Sequence, residues 1–514
     1  MKKTGLIAIA LASMIGIMGL TACSGRGGGN VTKPPTTDPD SWNSLDSGKT
    51  IQITLAGRDV DTEKANYLQF VNDFNATHDN IVVTLEWWSD ATAYNIALDS
   101  MGKNLPDVFM LSNAMFTSFA AAGKLANIRP YMDEKLLEDM YVDGYEVYYF
   151  DHETKTPGIT EAAGLYGLPK DQGPVALAFN EGLLRERVEQ YNAGASEADK
   201  IDLNRILNPV DPMNFDYFLE IGKKLKTVLA EGEYVCSGYD MQSVIYSNNA
   251  NYFTDDSART AAINSDNFVG AIEFIQDLYR EGILPAAGTV SSGGETVFTS
   301  GKSLFFFSAT GPWKTKDYWK TCDFDWNLVP VPVGMAEGAV STAYIGGMCY
   351  AISNECPYKD AALELVEYLA TDIASQRTQY RRGQCIPNLI SLAEEYMTDE
   401  YGFIASQTGD DNPSPANRSV WIDVVDGVGG TKTDANGTQY TDKVTGKYRA
   451  ESFTLDNTWL NSLNQFMAGT TGNYGSFWEP KSDGSWVNVK EALTAYLPEL
   501  QVQLDENYER LHRM

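Results

Sequence analysis

The stretch Thr50–Trp88, TIQITLAGRDVDTEKANYLQFVNDFNATHDNIVVTLEWW, decides the fold class. At its start, Ile51, Ile53 and Leu55 alternate with polar residues, the period-two pattern of a half-buried strand. NYLQFVNDF then places Leu68, Val71 and Phe74 at helical spacing. NIVVTLEWW returns to alternation through Ile81, Val83, Leu85 and Trp87. A helical stretch near Tyr94–Met101 and a strand-like run from Pro106, PDVFML, follow. Strand, helix, strand, helix, strand predicts a parallel sheet in an α/β domain.

The same alternation continues. Phe218, Ile221, Leu225 and Val228 share a face in FDYFLEIGKKLKTVL. NFVGAIEFIQDLYREGILP, from Asn267, reads as a helix stopped by Gly282 and Pro285. SLFFFS, Ser303–Ser308, reads as a buried strand, and the segments from Tyr358 and Lys490 read as helices, the latter with a kink at Pro498. Residues 405–486 differ, being rich in Gly, Asn, Thr, Asp and Trp with weak periodicity. They read as an elaborated loop region holding short helices such as TWLNSLNQFM. No repeat of fixed period is visible.

The chain begins with Lys2 and Lys3, an uncharged apolar run from Gly5 to Leu20, and the small residues Thr21 and Ala22. That is the order of a secretory signal, residues 1–22. Leu20-Thr21-Ala22-Cys23 resembles a bacterial lipobox, which implies cleavage before Cys23, acylation of Cys23 and a place on the outer face of the cell membrane. Residues 23–48, rich in Gly, Pro, Ser and Thr, read as a flexible tether. Several acyl chains hold a protein at a membrane far better than one. The formal charge is −30, two units more negative without Lys2 and Lys3, which argues against a nucleic-acid partner. Besides Cys23 there are five cysteines, none in Cys-x-x-Cys spacing, so they read as small buried apolar residues.

Four segments in order carry a family resemblance. They are NLPDVFMLSNAMFTSFAAAGKLANI from Asn104, YGLPKDQGPVALAFNEGLL from Tyr166, FTSGKSLFFFSATGPW from Phe298, and the run from Val329 to Ala370 with YIGGMCYAIS and KDAALELVEYLA. Together they resemble bacterial extracellular solute-binding proteins of the maltose-binding-like, carbohydrate type that feed ABC importers. The resemblance implies a two-lobed periplasmic-binding-protein-like α/β fold with a ligand cleft between lobes joined by crossover hinges. It implies a first lobe of 49–167 plus 336–370 and a second of 168–335 plus 371–514. The implied role is a monomeric binding protein, without catalytic residues or cofactor, that closes on a carbohydrate and delivers it to permease subunits.

A sugar site needs aromatic planes for C–H faces and carboxylates or amides for hydroxyls. Trp313 matches the tryptophan of the family's Gly-Pro-Trp segment, which the resemblance assigns to sugar stacking. Asp171 and Gln172 follow the Gly-Leu-Pro of a crossover, where the family has an acidic residue that accepts sugar hydroxyls. Trp88, Asp90 and Asn113 lie at strand ends, where open α/β sheets present ligands; Asp90 and Asn113 can equally be helix caps. Trp421 stands where the family places a late aromatic, with Arg418, Trp459 and Trp478 as further residues from the same region. Gly346 and Gly347 allow close backbone approach or a hinge.

Two rival readings remain at this level: a surface glycoside hydrolase, which needs paired carboxylates about 5–9.5 Å apart, and the same fold binding a polyamine or a peptide. A metal site has little support. DFDWN, from Asp323, lacks the glycine and glutamate of a calcium loop, and the three histidines, His78, His152 and His512, form no ligand pair. SSGGETVFTSGKS does not meet the phosphate-loop spacing.

Overall fold

Strand β1 (Ile51–Arg58) buries Ile51, Ile53 and Leu55, the three residues whose alternation marks it. It pairs in parallel with β2 (Ile81–Trp88), and the helix between them, α1 (Asp61–Thr77), buries Tyr67, Phe70, Val71 and Phe74. The apolar face of α1 is therefore set by positions 67, 70, 71 and 74. Leu68, expected on that face, is 45% exposed because it falls one position off the stripe. Helix α2 (Ala91–Ser100), strand β3 (Val108–Ser112), parallel to β1, and helix α3 (Asn113–Ala121) complete this half.

In this computed structural model the described residues are 42–43, 45, 49–59, 61–255, 257–289, 294–310, 322–382, 385–398, 415–426, 431–433, 439–441 and 444–514, with backbone alone at 62, 308–310, 431–433 and 439–441. After the short helix α4 (Val142–Tyr145), strands β4 (Tyr149–Asp151), β5 (Thr156–Pro157) and β6 (Gly164–Leu165) form a small antiparallel sheet. The chain then enters β7 (Leu168–Asn180), and later β8 (Tyr234–Cys236), β9 (Ser303–Thr310), β10 (Trp326–Val329) and β11 (Ser341–Ile352). A hairpin of β12 (Thr431–Thr433) and β13 (Gln439–Thr441) precedes β14 (Val444–Tyr448).

The main sheet runs β2-β1-β3-β11-β7-β9-β8, with β10 beside β7 and β14 beside β11. Its centre is the antiparallel pair of long strands β7 and β11. These two strands pass between two separate apolar cores. Leu168 of β7 and Met348–Ile352 of β11 belong to the core that holds β1–β3. Val175–Phe179 of β7 and Ala343–Ile345 of β11 belong to the other, which holds the helices Phe215–Lys226 and Asp266–Arg280. At the changeover, Gly173 faces Gly346 and Gln172 faces Gly347.

The described part of residues 405–486 is tied more closely to the sheet than weak periodicity suggests. Strand β14 pairs in parallel with Ser341–Ile345 of β11, and the helices Ser419–Val425 and Thr458–Met467 pack on the second core. A five-residue strand with Gly446 inside it is too short to show alternation. Four of the five described cysteines are buried and Cys322 is half-buried, and none is in a disulfide. Pro498 lies inside the closing helix Val489–Arg513.

Candidate functional site

A cleft of about 300 Å³ opens where β7 and β11 change cores. The C-terminal ends of β1 and β3 supply Arg58, Asp59 and Asn113; α1 supplies Glu63; β7 supplies Lys170, Asp171 and Gln172. From the second core come Tyr344 on β11, and Arg449 and Glu451 just after β14. Strand C-terminal ends and a crossover are where open α/β sheets present groups to a ligand. Asp59 holds a left-handed φ of 124°, uncommon for a residue with a side chain. Its N–H donates to the Trp88 carbonyl, and the Trp87 indole N–H donates to its own carbonyl at 2.9 Å.

A buried ion network forms the floor. Lys170 is 3% exposed, and its ammonium lies 2.9 Å from Glu63 and 2.5 Å from Asp171. Met348 pairs with Asp171 but Cys349 pairs with Pro169, so Lys170 is the extra residue of a β-bulge. The bulge lets two consecutive side chains, which would otherwise alternate faces, meet each other. The other oxygen of Asp171 accepts the Met348 N–H at 3.1 Å. Burial pushes the Glu63 carboxyl up to about 7, against the downward pull of Lys170. Burial alone would lower the Lys170 ammonium, but Asp171 and Glu63 hold it well above its ordinary value. Lys170 thus stays charged while Glu63 titrates near neutrality.

Several polar groups on the walls lack partners among the described residues. Gln172, 4% exposed, has both amide atoms buried without a hydrogen bond. Its side chain lies over Gly144 of α4, where a Cβ would stand 2.7 Å from the amide nitrogen. Asn113, also 4% exposed, accepts from the Tyr148 hydroxyl at 2.6 Å through Oδ1 but leaves Nδ2 unbonded. Buried polar groups are ordinarily bonded, so such groups facing a cleft point to a ligand or water. The second-core wall is more complete. Arg449 lies over the Tyr344 ring at 4.1 Å, 3.5 Å from Glu451, which accepts from Gln242 at 2.9 Å.

Of the residues singled out in the sequence, the cleft therefore brings together Asp171, Gln172 and Asn113, with Gly346 and Gly347. Asp90 does not line it; its carboxylate caps α2 by accepting the Ala93 N–H. Trp88 is half-buried against Tyr94, edge to face at 5.3 Å, away from the lining. Trp421 is 1% exposed inside the second core, on a helix packed against β7 and β14, because three of its neighbours, Val420, Ile422 and Val424, share the burial. Trp459 is equally buried and Trp478 packs against Tyr239 and Tyr279, so none of these three reaches the cleft. Trp313 and Cys23 lie outside the described residues.

Sequence reasoning missed Arg58, Asp59, Glu63, Lys170, Tyr344, Arg449 and Glu451. Arg58 and Asp59 stand at a strand end, the rule that selected Trp88, so that signal was available. Nothing local marks Arg449 and Glu451, because only the pairing of β14 with β11 carries them to the site.

The profile of the bacterial extracellular solute-binding protein family matches residues 60–376, well over half the chain. The chain belongs to this family. Solute-binding proteins of this family act outside the cytoplasm, and the match spans β7, most of the cleft and the helix Lys359–Thr371. Among the described residues no helix is long and apolar enough to cross a membrane. No curated protein matches the chain in sequence. Similar solved structures include an ABC substrate-binding protein from Listeria monocytogenes in complex with cycloalternan, at 14% identity and TM-score 0.59, covering 90% of this chain and 98% of that one. The cyclic alpha-maltosyl-1,6-maltose binding protein of Arthrobacter globiformis is 13% identical with TM-score 0.59, covering 90% and 99%. The GacH receptor of Streptomyces glaucescens, solved unliganded and with acarbose, is 16% identical with TM-score 0.58 and the same coverage. These likenesses show the two-lobed α/β fold of periplasmic binding proteins.

Proposed function

We propose that this solute-binding protein captures a carbohydrate, in oligosaccharide form, and delivers it to the permease of an ABC importer. The observation that carries the reading is a single cleft lined from both apolar cores by amides, carboxylates and guanidinium groups. Planar groups of this kind suit the hydroxyl rim of a sugar. The saccharide ligands of the neighbouring structures support the same class.

Closure is the working step. A ligand that touches both walls stabilises the closed arrangement over the open one by its differential affinity. The change of cores at Gly173 and Gly346 supports a hinge there, so the two lobes of 49–167 plus 336–370 and 168–335 plus 371–514 are proposed with these two crossings shifted to about 173 and 346. Asp171, Gln172 and Asn113 are binding residues in this reading, with Trp313 as the stacking plane. The aromatic supply among the described lining residues is Tyr344, whose ring already carries Arg449, and the stacking role proposed for Trp313 rests on the family's Gly-Pro-Trp segment. Acylated Cys23 anchors the protein, and C23S is expected to move it from the membrane fraction to the medium; retention at the membrane would reject the anchor.

The direct test is a thermal-shift screen of the form beginning near Ser24 against neutral and acidic oligosaccharides, polyamines and peptides. A ligand that binds only the folded state raises stability by about 2.7 kcal/mol at a hundred times its Kd. A shift with a saccharide that is lost in W313A supports class and site together. A shift with a polyamine or peptide alone would retain the fold and reject the sugar. Release of reducing ends from a bound oligosaccharide would favour the hydrolase reading, which the cleft's several carboxylates keep testable.

A further inference from the structure

Among the described residues the cleft is lined by three cationic side chains, and two of them are neutralised within the protein. Lys170 has Glu63 and Asp171, and Arg449 has Glu451. Arg58 has neither. Among the described residues no carboxylate lies within ion-pair distance of it, its chain neighbour Asp59 included. Its Nη2 meets only the Met348 sulfur, at 3.6 Å, and its Nε is buried without a partner. A thioether is a weak acceptor, so the guanidinium fork is left without a charged counterpart.

The unpartnered atoms around it have one chemical bias. Among the fully buried atoms of the described residues that line the cleft, Arg58 Nε, Asn113 Nδ2 and Gln172 Nε2 are unpartnered donors and Gln172 Oε1 is the one unpartnered acceptor, while the half-buried Asp59 carboxylate adds acceptors at the rim. Arg58, Asn113 and Met348 sit on neighbouring strands, since β1 pairs with β3 and Met348 pairs with Ser112. A neutral sugar hydroxyl both donates and accepts and has no preference for such a surplus. A carboxylate only accepts, is planar, and matches a guanidinium fork with two parallel hydrogen bonds. An unpaired cation held partly out of water is costly, and an incoming anion removes that cost.

We infer that the carbohydrate this cleft selects carries a carboxylate, as a uronic acid residue does, and that Arg58 receives it. The inference rests on the carbohydrate reading and narrows it. Asp59 and Asp171 then accept from the hydroxyls of the same sugar, beside the Arg58 and amide N–H groups that donate to its carboxylate.

The experiment is isothermal titration of the Ser24 form with di- and trigalacturonate, the matching glucuronate-containing disaccharides, the methyl esters of the galacturonates, and maltotriose. An acidic saccharide is expected to bind at least about ten-fold more tightly than its methyl ester, the scale of one hydrogen-bonded charge contact. R58Q is expected to erase that difference, while R58K retains part of it through charge without the fork. The comparison of acid with ester uses the unaltered protein, so it decides the matter even if R58Q folds poorly. Equal binding of acid and ester, or tighter binding of maltotriose, would overturn the acidic ligand and leave the carbohydrate reading standing. Binding of a peptide or polyamine with no saccharide bound would overturn both.

Discussion

Replacing Lys170 by methionine, a chain of similar reach without the charge, should uncouple the floor of the cleft in a pH-dependent way. Lys170 is almost fully buried and pairs with Glu63 and Asp171. Removing one member of a buried ion pair typically costs about 3–5 kcal/mol, because the remaining charge is left uncompensated. Here the cost depends on protonation. Glu63 already stands up near 7 with Lys170 present, and Lys170 is the main influence lowering it. Without that ammonium its carboxyl rises further, so in K170M it is neutral through a wider pH range. A carboxyl raised above its unfolded value keeps an extra proton in the folded state, so stability falls as pH rises. In the unaltered protein this loss runs from about 4.5 to about 7 and then levels. In K170M it continues above 7, at up to about 1.4 kcal/mol for each pH unit. Urea unfolding followed by far-ultraviolet circular dichroism at pH 5, 7 and 8 reads this directly. K170M should lie below the parent at every pH, with the gap widening by about 1 kcal/mol between pH 7 and 8. Adding E63Q to K170M should remove the widening. A gap that stays constant from pH 5 to 8, or one below about 1 kcal/mol throughout, would refute the assignment of a charged Lys170 stabilising Glu63.

Two further outcomes follow from packing. Trp421→Ala should destabilise the fold by about 3–5 kcal/mol in chemical unfolding, through the cavity left in the second core, while the folded variant keeps its ligand affinity; a selective loss of affinity would return Trp421 to the site. Gly347→Val should weaken both stability, by about 1–3 kcal/mol in chemical unfolding, and ligand binding, since a Cβ there would stand 2.7 Å from the Asp171 carbonyl oxygen and force β7 and β11 apart; a variant with unchanged melting temperature and ligand affinity would contradict that close approach.

Much of this molecule was legible in its sequence. Period-two and helical spacing marked β1, α1, β2 and β3, because each buries a face against a neighbour and burial is written as periodicity. The order of those elements predicted a parallel sheet, which β2-β1-β3 is, and the family resemblance placed Asp171 and Gln172, after Gly-Leu-Pro, at the first crossover and Gly346 and Gly347 in the return segment. Other matters had no local signature. A tryptophan in polar sequence looks like a ligand plane, yet Trp421 and Trp459 are core residues, because short helices bring surrounding chain over them. The bulge that turns Lys170 toward Asp171 depends on the register of β11. Arg449 and Glu451 reach the cleft because β14 adds to the edge of β11, a pairing roughly a hundred residues apart in the chain. Periodicity records which face of a segment leaves water; it carries no information about which distant segment meets that face, and the charges of this cleft are set by those distant meetings.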